Sequence, residues 1–171
     1  MLIPVFISAP SVANLNADQR PVYDAIVSAL GDVGLEARNL GQTDYPDEAP
    51  LKEVVQIARR CSGGIVLGFT QTMLEKGIAK PGAQDRPLSN QPLPTPWNQL
   101  EAGILFSLRL PVVVFRENGI SGGIFDDGVS DVFIHKMPTV AELDKKAGAI
   151  RQVLMKWQAK VRSHYYEWEG R

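Results

Sequence analysis

Cysteine is nearly absent from this chain: Cys61 is the only one, so no internal disulfide can form. A lone thiol beside a strand-like run reads as a small buried hydrophobe. Histidine is almost as scarce. His135 and His164 stand far apart with no cysteine near either, so a zinc site lacks ligands and no metal is expected. An excess of either charge is also missing, because 18 Lys and Arg oppose 19 Asp and Glu for a net charge of −1. Nucleic acids and anionic membranes demand a basic face, so neither is expected as a partner. No apolar run reaches the length of a transmembrane helix. The opening residues Met1 to Ile7 are apolar but short and carry no basic lead, which does not suit a signal peptide. A cytoplasmic protein is the expectation.

The motifs of commoner α/β enzymes are missing too. No G-x-G-x-x-G follows the first apolar run and no G-x-x-x-x-G-K-[ST] occurs, so Rossmann-type and P-loop phosphate binding lack their mechanism. There is no G-x-S-x-G elbow to present a nucleophilic serine. The acidic pair Asp126-Asp127 lies in a Gly-rich stretch and reads as solvated turn rather than cation ligand.

What is present is alternation. The 171 residues, 44% of them apolar, suit one domain spanning 1–171 with a core of its own. Leu2 to Ser8 is a continuous β-prone run, as a strand covered on both faces requires. A helix follows, with Asn16 or Asp18 as cap, Val22, Tyr23, Ile26, Val27 and Leu30 as its stripe, and Gly34 as its stop. Leu35 to Arg38 is a short strand, Asn39 to Pro50 a polar loop, and Leu51 to Ala58 a helix. Ile65 to Phe69 and Val112 to Phe115 are further strands, separated by a helix over Trp97 to Leu108. Asn118 to Gly128 reads as loop, Val132 to His135 as a fifth strand, and Val140 to about Arg162 as a final helix. Between Thr70 and Pro96 regularity fails. Met73 to Ile78 can form a helical turn, but Pro81, Pro87, Pro92, Pro94 and Pro96 argue for an irregular insertion. Such alternation predicts a flavodoxin-like, doubly wound parallel sheet of five strands in the order 2-1-3-4-5. Ligands of such sheets bind beyond the strand C-termini where the order reverses. That rule selects Ser8-Ala9-Pro10, Phe69-Thr70-Gln71 and Arg116-Glu117-Asn118.

One carboxylate is out of place. On the helix Trp97 to Leu108, the apolar residues Trp97, Leu100, Ile104, Leu105 and Leu108 gather on one face, and Glu101 falls among them. A carboxylate on a core face is costly unless neutralised, partnered or functional. Glu101 is therefore the candidate catalytic residue.

With Glu101 in view, the chain resembles a family. Thr95-Pro96-Trp97-Asn98-Gln99-Leu100-Glu101 is similar to the [ST]-x-W-x-x-x-E signature of TIR domains, whose NAD-cleaving members use that Glu. Val5-Phe6-Ile7-Ser8 resembles the first TIR box, Gly64 to Leu67 the strand before the Trp and Glu, and Leu110 to Val114 the Pro-led strand after them. The segment Thr70 to Pro94 is longer than the family's usual connection. The loop Asn39 to Pro50 lacks the Arg-Asp and Pro-Gly features of TIR adaptors, which points away from adaptor signalling. Glu101-Ala102-Gly103 also resembles the catalytic-Glu helix of nucleoside 2-deoxyribosyltransferases.

Both families break an N-glycosidic bond. The resemblance implies an NAD-consuming enzyme that releases nicotinamide and leaves ADP-ribose or a cyclic isomer. NAD is then a substrate, and no cofactor is implied. A cationic leaving group departs neutral and needs no general acid, so one desolvated anion can supply the main stabilisation of the developing cation. Glu101 would face the ribose and Trp97 would pack on ribose or nicotinamide. Ser8, Ala9 and Pro10 would approach the dinucleotide, and Phe69 would stack on a base. Bacterial TIR proteins of this size act in antiphage defence, which implies self-association or a sensor or effector partner. Two other readings stand beside this one: a nucleoside or nucleotide N-glycosidase or deoxyribosyltransferase using the same Glu, and a non-catalytic module that binds a nucleotide or partner.

Overall fold

A computed structural model describes residues 2–40 and 49–169. Its main sheet has five parallel strands: β1 (Ile3–Ser8), β2 (Leu35–Arg38), β3 (Gly64–Gly68), β6 (Val112–Arg116) and β7 (Ile134–Lys136). They lie in the order β2-β1-β3-β6-β7, with Ile3 beside Leu35, Phe6 beside Gly64, Gly64 beside Val112 and Val114 beside Ile134. Counted along the parallel strands alone, this is the expected 2-1-3-4-5 order.

The apolar runs are continuous because each strand feeds two cores. Val5, Ile7, Ile65, Leu67, Val113 and Phe115 point to one face, against Tyr23, Ile26 and Leu30 of α1 (Gln19–Asp32) and Leu154, Trp157 and Val161 of α5 (Ala149–Glu169). Their neighbours Phe6, Val66, Val112 and Val114 point to the other. There they meet Val54, Ile57 and Ala58 of α2 (Pro50–Arg59) and Ala102 and Leu105 of α3 (Trp97–Ser107). Cys61 is buried in this second core, as a small hydrophobe should be. Gly64 sets how close α3 comes: a Cβ there would sit 2.5 Å from Leu105 Cδ1. That close approach presses α3 onto the middle of the sheet and carries Glu101 down with it.

Four expectations change. Thr70 to Pro96 is not irregular, and Met73 to Ile78 is not helical. The segment forms an antiparallel hairpin of β4 (Thr72–Ala79) and β5 (Arg86–Leu93), separate from the main sheet. A two-stranded ribbon has a free edge on each strand, and edges tolerate residues without an N–H, so Pro87 and Pro92 fit. The fifth strand begins at Ile134 rather than Val132. The last helix is broken into α4 (Val140–Asp144), which starts on a Thr139–Glu142 capping box, and α5. Asn16, not Asp18, caps α1 through its side chain, accepting from the Asp18 and Gln19 N–H groups at 3.0 and 2.9 Å. Of the loop expected from Asn39 to Pro50, residues 41–48 lie outside the described residues. Among the described residues no helix is long and apolar enough to cross a membrane.

No residue from Thr70 to Trp97 is buried. The hairpin therefore contributes little to the cores. Replacing Lys76–Ser89 by an Asn-Gly turn should leave the melting temperature within a few degrees, measured by circular dichroism. A fall beyond about 10 °C would show that the hairpin belongs to the cooperative unit.

Candidate active site

A cleft of about 280 Å³ opens beyond the C-terminal end of β1, beside the point where strand order reverses. Ala9, Pro10 and Ser11 form one wall as the chain leaves β1, and Asn39 and Leu40 another as it leaves β2. Gln71 and Thr95, the two ends of the hairpin, face them, and the first turn of α3 supplies Trp97 and Glu101.

The buried face of α3 differs from the one expected. Asn98, Glu101, Ala102 and Leu105 are buried, whereas Trp97 is 39% and Leu100 51% exposed. The helix is turned by about one residue relative to the Trp97/Leu100/Ile104 stripe. Glu101 stays inside, but its neighbours are Ala102 and Asn98 rather than the largest apolar side chains. Trp97 is free to present its ring to the cleft.

Glu101 is only 8% exposed, and its Oε2 is buried without a hydrogen-bond partner among the described residues. Burial disfavours the charged form and pushes the carboxyl up from about 4.5 to about 7, against a side-chain hydrogen bond with Ser8 that favours the anion.

Ser8 and Asn98 form the layer beneath. Both are fully buried, and the Asn98 amide donates to Ser8 Oγ at 2.8 Å and to the Ser8 carbonyl at 3.2 Å. Accepting from Asn98 leaves the Ser8 hydroxyl proton free to serve Glu101. Ser8 therefore acts through Glu101 and does not reach the cleft. Phe69 is corrected as well. It is fully buried in the core shared with α1 and offers no ring for base stacking.

Glu117, at the other loop the switch-point rule selected, builds the frame. Its carboxylate accepts from the Thr70 N–H at 2.7 Å and from the buried Gln19 amide at 3.2 Å, and Gln19 also donates to the Thr70 carbonyl at 3.1 Å. These bonds tie α1, the end of β3 and the end of β6 together beside the cleft. Asp126 and Asp127 serve as loop residues: Asp126 accepts from the Gly122 N–H at 2.7 Å, and Asp127 lies 3.7 Å from Arg116. No cluster of potential metal ligands occurs among the described residues.

The switch-point rule had selected Gln71, but sequence reasoning missed Asn98, Asn14, Asn39 and Thr95 as parts of the site. Asn98 had a readable signal, since it precedes Glu101 by three and Leu105 by seven, the spacing of one helix face. The others sit on loops, which carry no periodicity.

Two outcomes test this geometry. An unfolded Glu ionises above about 4.5 but this one keeps its proton to about 7, so its stabilising contribution is complete below 4.5 and lost as pH rises through 7. Glu101→Gln should therefore be more stable than wild type at pH 8, by at most on the order of 3 kcal/mol, with no gain at pH 4, by denaturant titration. Asn98→Ala should cost about 1–3 kcal/mol and raise the Glu101 midpoint further, followed by carboxyl-carbon NMR. An unmoved midpoint would remove Asn98 and Ser8 from the control of Glu101.

No family model matches the chain, and no curated protein matches it. Among solved structures it is similar to the CMP N-glycosidase BcmB of Clostridium botulinum. The match has a TM-score of 0.53 and covers 90% of this chain and 98% of the other at 12% identity. At that identity the likeness shows a shared α/β fold.

Proposed function

We propose that this protein breaks an N-glycosidic bond between a base and a ribose-type sugar, with Glu101 as its catalytic carboxylate. The observation that carries the reading is a buried carboxyl group that lines a cleft at the ligand edge of the sheet, with its Oε2 unpartnered among the described residues and Ser8 as its hydrogen-bond partner. The fold shared with a CMP N-glycosidase supports it at the level of architecture.

In hydrolysis the C1′–N bond breaks and its electron pair leaves with the base. Water supplies the hydroxyl that bonds to C1′ and the proton the base requires. Positive charge builds on C1′ and the ring oxygen as the bond stretches. The ionised form of Glu101, poorly hydrated and already in place, stabilises that charge or adds to C1′ to form a glycosyl–enzyme intermediate. Its midpoint near 7 leaves enough anion at neutral pH to do so. Asn14 and Gln71 add amide groups to the walls, of the kind that hydrogen-bond base edges, while the buried Asn39 amide donates to Tyr23 Oη at 3.4 Å.

A second reading takes NAD as the substrate and competes with a nucleoside for the same cleft. Trp97 and Glu101, the pair behind the resemblance to NAD-cleaving TIR domains, both line the cleft. On that reading the Trp97 ring packs on the ribose or nicotinamide, and copies of the chain or a partner protein control turnover.

Release of free base or nicotinamide at high protein concentration, followed by chromatography, is the test. Glu101→Gln should lower the rate by about 10³-fold or more while the fold is retained. A variant as active as wild type would end the proposal.

A further inference from the structure

We propose that the ligand of this cleft is an uncharged nucleoside, one without a 5′-phosphate; this rests on the N-glycosidase reading and narrows it. Phosphate groups are recognised by Lys and Arg side chains or by free N–H groups at helix starts. The lining of this cleft holds neither Lys nor Arg, and the starts of α1 and α3 are already hydrogen-bonded.

Among the described residues, the side chains that line the cleft are amides, hydroxyls, aliphatic groups and an indole, and the single ionisable one, Glu101, is acidic. Two cations on flanking elements have acidic partners: Arg20 on α1 lies 2.8 Å from Asp24, and Arg38 at the end of β2 lies 3.8 Å from Glu36.

The helix starts are occupied as well. On α3 the Trp97 N–H faces Thr95 Oγ1 at 3.4 Å, and the Asn98 and Gln99 N–H groups bond the Thr95 and Pro96 carbonyls, each at 3.1 Å. On α1 the Asp18 and Gln19 N–H groups go to Asn16 Oδ1 and the Arg20 N–H to the Asn16 carbonyl at 3.0 Å. A phosphate here would meet the Glu101 carboxylate with no opposing charge in the lining to offset the repulsion. Size points the same way. Ligand clefts run from roughly 300 to 1,000 Å³, and one of about 280 Å³ suits a nucleoside better than a dinucleotide. The amides then read the base, and Glu101 faces the sugar.

The test compares cytidine, adenosine and guanosine with their 5′-monophosphates and with NAD, using the intact chain. For whichever base is released, kcat/KM for the nucleoside should exceed that of its monophosphate by about tenfold or more, with NAD poorer still. Equal or better use of a monophosphate or of NAD overturns the proposal. Calorimetric binding of the same compounds gives a readout independent of turnover, and nucleosides should bind about tenfold more tightly than their phosphates. Base release from no compound sinks the N-glycosidase reading, whereas failure of every nucleoside to bind sinks this one. Ser11→Lys, which adds a cation to the wall, should bring the monophosphate to within about twofold of the nucleoside. A preference left unchanged by that cation would show that charge is not its cause.

Discussion

A carboxyl group kept out of water where α3 crosses the end of β1 is the constraint on which the site depends. Desolvation makes Glu101 costly to ionise and, for the same reason, effective once ionised, because little water competes for its field. The sheet makes this possible. Gly64 has no Cβ to hold Leu105 away, so α3 lies close over β3 and the first turn of the helix is carried to the strand ends. Ser8 and Asn98 complete the arrangement from below by offering the carboxyl one hydrogen bond and no countercharge. Full pairing with an arginine would have held the carboxyl low and its charge spent.

The surrounding frame is stiff where chemistry needs it and plain elsewhere. Glu117 ties the ends of β3 and β6 to the start of α1, so three elements beside the cleft share one anchor. The amide side chains on the loops bring hydrogen-bonding capacity without fixed charge. On the nucleoside reading proposed above, recognition rests on shape and on the donor and acceptor pattern of the ligand.

Much of the fold was legible because a parallel sheet buried on both faces leaves continuous apolar runs, as in Val5 to Ile7, Ile65 to Leu67 and Val112 to Phe115. Helix breaks and the hairpin were not. Thr70 to Pro96 alternates too weakly and holds too many prolines to read as strands, since a ribbon with two free edges is not obliged to bury either face. The site was legible in part, and through a misreading. The large apolar residues of α3 mark a half-exposed face, while Asn98, Glu101, Ala102 and Leu105 mark the buried one, so Glu101 was singled out beside the wrong neighbours. Phe69 looked available because it ends a strand at the ligand edge, yet its ring turns back into the α1 core. Direction at a strand end follows the pleat, and a one-residue change in that parity reverses it.

The hairpin has a consequence of another kind. Interior packing restricts the sequence up to Phe69 and again from Asn98, and the stretch between them answers to none of it. Natural selection can lengthen, shorten or replace that appendage at little cost to the scaffold. Its two roots, Gln71 and Thr95, are nonetheless walls of the cleft. Drift in a peripheral ribbon is thereby coupled to what the protein admits, giving descendants of this chain a route to new ligands that leaves the carboxylate and the sheet beneath it untouched.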